Sequence, residues 1–115
     1  MKNHYMSLYP LPFKKIKDKI KTIEMRLYDE KRQDICIGDT ITFVNTIDSN
    51  ETMCVKVLDL YIFDSFEELY KNLPLLECGY TKETIDTALP SDMDKYYTKE
   101  LQQQYKVVGI KISLL

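Results

Sequence analysis

The chain has 115 residues, 44% of them hydrophobic and 30% charged, which is the size and apolar content of a single domain, residues 1–115, with one core. A formal net charge of −2 excludes a molecule drawn to polyanions by bulk charge, and no run of about 18 apolar residues offers a membrane span. Met1-Lys2-Asn3-His4-Tyr5 lacks the apolar stretch of a signal peptide, so a cytoplasmic location is expected.

In chain order, Met6, Leu8 and Leu11 supply apolar positions ahead of a helix over about residues 10–18, which Pro12 can open because the first turn needs no proline N–H. Phe13, Ile16 and Ile20 recur at spacings of three and four and form its apolar stripe, opposite the lysines. From Lys21 to Tyr28 the pattern switches to alternation. Ile23, Met25 and Leu27 share one face of a strand, and Thr22, Glu24, Arg26 and Tyr28 the other. Residues 29–33 read as a charged loop, Gly38-Asp39 as a turn, 40–44 as a strand, 48–50 as a second turn and 51–63 as a long strand that bends. Asp64 or Ser65 can cap a helix starting at Phe66 that Pro74 closes. An irregular stretch over 74–91, with a helical turn near 82–87, precedes polar helical segments at 91–94 and 98–102, and residues 107–114 form the last strand. Five or six strands interrupted by short helices, without regular alternation of strand and helix, predict an α+β fold or a partly open β-barrel.

Charge is unevenly distributed. Residues 14–32 hold eight basic and four acidic side chains, whereas residues 45–105 hold twelve acidic and five basic ones. A basic patch on an acidic body follows. Its best local constellation is Lys21, Thr22, Glu24 and Arg26: a mobile ammonium, a hydroxyl, a carboxylate and a planar fork for phosphate or carboxyl oxygens. Tyr28 and the Tyr96-Tyr97 pair supply rings that could stack on a base, and Lys31 and Arg32 add charge beyond the strand. A solvent-facing strand with neighbouring ion pairs would show the same spacing.

Other chemistries find little support. Three widely spaced cysteines, Cys36, Cys54 and Cys78, form no Cys-x-x-Cys pair and read as reduced, mostly core thiols. The single histidine, His4, reads as a surface or strand-end residue and precludes a multi-histidine metal site. Gly38, Gly79 and Gly109 are too sparse for a phosphate loop. No metal and no cofactor are expected.

The runs Phe13 to Lys17, Lys21 to Arg32 and Ile37 to Phe43 resemble the ASCH family, and Phe66 to Tyr70, Cys78-Gly79-Tyr80 and Tyr96-Tyr97 through Ile110 are similar to a mostly uncharacterised bacterial ASCH subfamily. The resemblance implies a PUA-like β-barrel with a cleft over the strand at 21–28, in a superfamily associated with RNA. Some bacterial relatives are amidohydrolases that deacetylate 4-acetylcytidine through a lysine, a threonine and a glutamate. The lysine falls on Lys21 and the glutamate on Glu77, but the threonine falls on Glu24, and a carboxylate cannot replace a hydroxyl nucleophile without a change of mechanism. Two glycines usual in the family, before the Lys-Thr pair and before the last strand, are Lys19 and Lys106 here.

The leading expectation is therefore a module that binds RNA or a nucleoside through Lys21, Thr22, Glu24, Arg26, Tyr28, Lys31 and Arg32. A small hydrolase using Lys21, Glu24 and Glu77 on RNA or an acylated nucleoside is the alternative. A protein-interaction domain whose acidic later half meets a basic partner is the third reading. No membrane partner is expected.

Overall fold

Five strands and a set of short helices arise from the changes of periodicity along the chain; the structure, a computed structural model, describes residues 1–115. Strand β1 (Asn3–Leu8) and helix α1 (Pro10–Lys17) come first, followed by β2 (Ile23–Leu27), the single turn α2 (Glu30–Gln33), β3 (Thr40–Asn45) and β4 (Asp48–Phe63). Helix α3 (Phe66–Asn72), 3-10 turns at Ile85–Thr87 and Pro90–Lys95, α4 (Lys99–Tyr105) and β5 (Val107–Leu114) complete it. No helix is long and apolar enough to cross a membrane.

One mixed sheet runs β1-β3-β4-β5-β2. Only β1 and β3 are parallel, and the other neighbours are antiparallel. Strand β4 makes the curvature: residues 48–56 pair with β3, residues 55–63 pair with β5, and the register slips between Val57 and Asp59. Such a bulge bends a strand and raises its twist, so one long strand serves two walls of a partly open barrel. The unpaired edges of β1 and β2 are left facing each other.

Two cores result. Met6, Leu8, Phe13, Ile16, Ile41, Phe43, Val55, Val57, Val108, Ile110 and Ile112 fill the barrel beneath α1, and Leu27, Phe66, Leu69, Met93 and Val107 form a smaller cluster outside it beneath α3. Register assigns the faces of β2. Glu24 pairs with Ile110 and Arg26 with Val108, both in the barrel core, so the polar face of β2 turns into the barrel and the apolar face packs outward on α3. Gly109, opposite Met25, lets α3 approach; a Cβ there would lie 2.6 Å from Leu73 Cδ1.

Several elements depart from expectation. Strand β1 has no clear period-two signal because its buried positions are His4, Met6 and Leu8, with a histidine where an apolar residue would be read. His4 is not a surface residue: it is buried, and its Nε2 lies 2.9 Å from Asp39 Oδ2. Helix α1 ends at Lys17, which leaves Ile20 off its stripe and 57% exposed. The loop expected at 29–33 contains α2, capped by Asp29, whose side chain accepts from the Arg32 N–H. The turn between β3 and β4 is Thr46-Ile47 rather than 48–50, because Asn45 Oδ1 accepts from the Ile47 N–H and turns the chain early. Of the three cysteines only Cys78 is buried; Cys36 is exposed and Cys54 intermediate.

Candidate functional site: a charged cleft at the open seam of the barrel

The gap between the edges of β1 and β2 opens into a cavity of about 570 Å³. Its walls are the end of β1 and start of α1 (Ser7 to Pro12, with Lys15), the inward face of β2 (Lys21, Glu24, Arg26), and the excursion from Cys78 to Tyr97. Four basic side chains, Lys15, Lys21, Arg26 and Lys95, and two carboxylates, Glu24 and Asp92, are among the residues that line it.

Its floor is an ion network. Glu24, only 3% exposed, accepts from Lys21 Nζ at 2.7 Å with one oxygen and from Arg26 Nε at 2.7 Å with the other. Burial alone would push the Glu24 carboxyl up, but the charges and hydrogen bonds of Lys21 and Arg26 outweigh it and hold it at about 2. Arg26 also donates from Nη2 to the Ser7 carbonyl at 2.7 Å, which ties the edge of β2 to that of β1 across the seam. Two cations against one anion leave the floor with one positive charge in excess.

The Cys78–Tyr97 excursion is tied to the rest of the fold near its start and cross-linked within itself. Lys15 Nζ donates to the Gly79 carbonyl at 2.7 Å. Gly79 has φ +115°, and an added Cβ would lie 3.3 Å from Lys21 Cδ, so a residue without a side chain lets the backbone cover the lysine stem. Tyr80 donates its hydroxyl to Asp92 Oδ2 at 2.7 Å and meets the Tyr70 hydroxyl at 2.7 Å, while Asp92 also accepts from the Leu89 N–H. Burial pushes the Cys78 thiol up to about 11, so a lone thiolate nucleophile is absent at neutral pH.

The residues read from sequence divide into two groups. Lys21, Glu24 and Arg26 converge in the cleft. Thr22, Tyr28, Lys31, Arg32 and Glu77 do not line it. Thr22 stands at the entrance of β2, where its N–H and that of Ile23 donate to the Glu77 carbonyl; this docking draws its hydroxyl to Glu77 Oε1 at 2.8 Å. Glu77 is also bound by Lys111 Nζ at 2.5 Å, and these two hydrogen bonds hold its carboxyl below the usual range. Tyr28 packs against the barrel core, and Arg32 folds back on Asp29 at 3.3 Å. The rings also part: Tyr97 stacks on Phe66 with centroids 6.2 Å apart, whereas Tyr96 is 50% exposed at the cleft mouth. Lys15, Lys95 and Tyr9 were missing from the sequence-derived set, because they enter from α1, from a 3-10 turn and from the residue between β1 and α1, with no shared period.

The ASCH domain family model matches residues 6–115. No curated protein matches the sequence. Among solved structures, hypothetical protein PH0355 is 29% identical with a TM-score of 0.82, covering 98% of this chain and 99% of that one. Protein PF0455 from Pyrococcus furiosus is 30% identical with a TM-score of 0.74, covering 98% and 97%. The ASCH protein from Zymomonas mobilis is 14% identical with a TM-score of 0.67, covering 97% of this chain and 67% of that one, a likeness of fold alone. The architecture is thus the α+β, PUA-like fold with five strands in a mixed half-barrel, and the chain belongs to the ASCH domain family.

Proposed function

We propose that the cleft binds single-stranded RNA or a nucleotide-like ligand. The observation that carries this reading is the concave seam in which Lys21 and Arg26 are held rigidly by Glu24 beneath a rim bearing Lys15 and Lys95. A preorganised guanidinium and ammonium suit phosphate oxygens, and aromatic rings beside them suit base faces. ASCH domains are usually regarded as RNA-binding, which agrees with the charge and shape of the site. Fluorescence anisotropy of a labelled single-stranded RNA, titrated at several salt concentrations, tests the proposal. Binding that weakens with salt is expected, with a slope that falls by about one for Lys95→Ala. Undetectable or salt-independent binding would remove this reading.

The hydrolytic alternative has weaker support. Glu24, paired twice and held at about 2, is far from the near-neutral range that suits a general base, and Glu77 and Thr22 bond each other away from the cavity. Incubation with 4-acetylcytidine and with mixed RNA, followed by chromatography, decides between the two. Turnover above that of Lys21→Ala would replace the binding reading with a catalytic one.

A further inference from the structure

Two tyrosine rings are neighbours at the cleft mouth. Tyr9 follows β1 directly, Tyr96 ends the last 3-10 turn, and their ring centroids are 6.4 Å apart at an interplanar angle of 34°. They are 60% and 50% exposed, so neither ring is consumed by the core, in contrast to Tyr97 on Phe66. Neither hydroxyl has a hydrogen-bond partner within the chain. Lys95 Nζ lies 5.2 Å from the Tyr96 centroid, placing a cation beside the pair.

We propose that Tyr9 and Tyr96 form a clamp that receives one unpaired nucleobase between their faces, which rests on the binding reading above and assigns it a stacking subsite. A flat ring sandwiched between two others needs roughly 7 Å from outer ring to outer ring, two contact spacings of about 3.5 Å. The centroids are 6.4 Å apart with the planes tilted by 34°, so the two rings are not in direct stacking contact, and a base enters by rotation of these two exposed side chains. The neighbouring cations select the occupant: an uncharged aromatic side chain would gain nothing from Lys15, Lys21, Arg26 and Lys95, whereas a nucleotide places its phosphate among them. A base within a duplex has both faces covered by its neighbours, so the clamp discriminates for single strands.

The test uses a short single-stranded RNA with 2-aminopurine at one position, its duplex, and the full chain carrying Tyr9→Ala, Tyr96→Ala or Tyr96→Phe. Quenching of 2-aminopurine on binding is expected, together with a loss of affinity of about 5- to 150-fold in each alanine variant. Tyr96→Phe should retain near-native affinity. The salt slope should be unchanged in all three, because no phosphate contact is lost. Native affinity in both alanine variants, or equal affinity for the duplex, would overturn the clamp while leaving the cationic cleft as the binding site. Failure of the native chain to bind any RNA would overturn both.

Discussion

Lys106 carries the clearest strain in the molecule. Its φ of 64° and ψ of −171° lie in a region that is essentially reserved for glycine, and Lys19, with φ 63°, is the other non-glycine residue at positive φ. These are the two positions at which the family resemblance leads one to expect glycine, so backbone geometry gives the physical reason for that preference. Lys106→Gly should stabilise the fold by about 1 kcal/mol, the relief of strain less the extra chain entropy of glycine, measured as a higher urea midpoint at unchanged slope. Glu24 presents the opposite case. Glu24→Gln leaves Lys21 and Arg26 buried without their counter-ion, and a loss of about 3 to 5 kcal/mol in urea unfolding is expected. The convergence of Lys21, Glu24 and Arg26 was legible because strand alternation sets where Glu24 and Arg26 point and Lys21 adjoins them. The same alternation puts Tyr28 on the barrel-facing side, where it packs on the core beyond the cleft, while Thr22 at the strand's entrance is recruited by Glu77.

At the scale of elements, legibility follows locality. The limits of β5 could be read directly from Val107 to Leu114, and Ser65 caps α3 by accepting from the Glu68 N–H, because each depends on its own residues. Strand β1 and the two-residue turn before Asp48 depend on a parallel partner and on a single asparagine, and neither leaves a periodic mark. The two faces of β2 are the instructive case: its apolar residues were identified correctly, but alternation cannot say which face meets the larger core. The structure turns the charged face inward, which creates the cleft, and gives the apolar face to α3. Gly109 sets that second contact. Gly109→Ala should cost about 1 to 3 kcal/mol and fall toward the lower end, because the contacted Leu73 methyl ends a partly buried side chain that can rotate. Pairing it with Leu73→Ala should recover part of the loss, a coupling that a double-mutant cycle in urea unfolding would measure.

For the molecule as a whole, the two carboxyls held lowest, Glu24 and Asp39, sit in networks that join separate strands. Glu24 holds Arg26, which in turn reaches across the seam to the Ser7 carbonyl. Asp39, before β3, accepts from His4 on β1 and from the backbone N–H groups of Cys36 and Lys2; these hydrogen bonds, that of His4 foremost, hold it at about 2. Both groups therefore have folded-state values below their ordinary ones of 4.5 and 3.8. Between those ordinary values and about 2 the unfolded chain binds more protons than the folded one, so stability rises with pH across this window. The contribution is complete above about pH 5 and disappears as the pH falls through about 2. Urea unfolding at a series of pH values should show this decline in the native chain and a shallower one in Glu24→Gln. Because Glu24 and Asp39 are buried, the decline should persist in about 1 M salt, where the screening length shrinks to about 3 Å and exposed pairs such as Lys14–Asp18 lose their effect. A pH dependence that vanished at high salt, or one equal in Glu24→Gln and the native chain, would show that surface charge, not the buried network at the seam, governs acid stability.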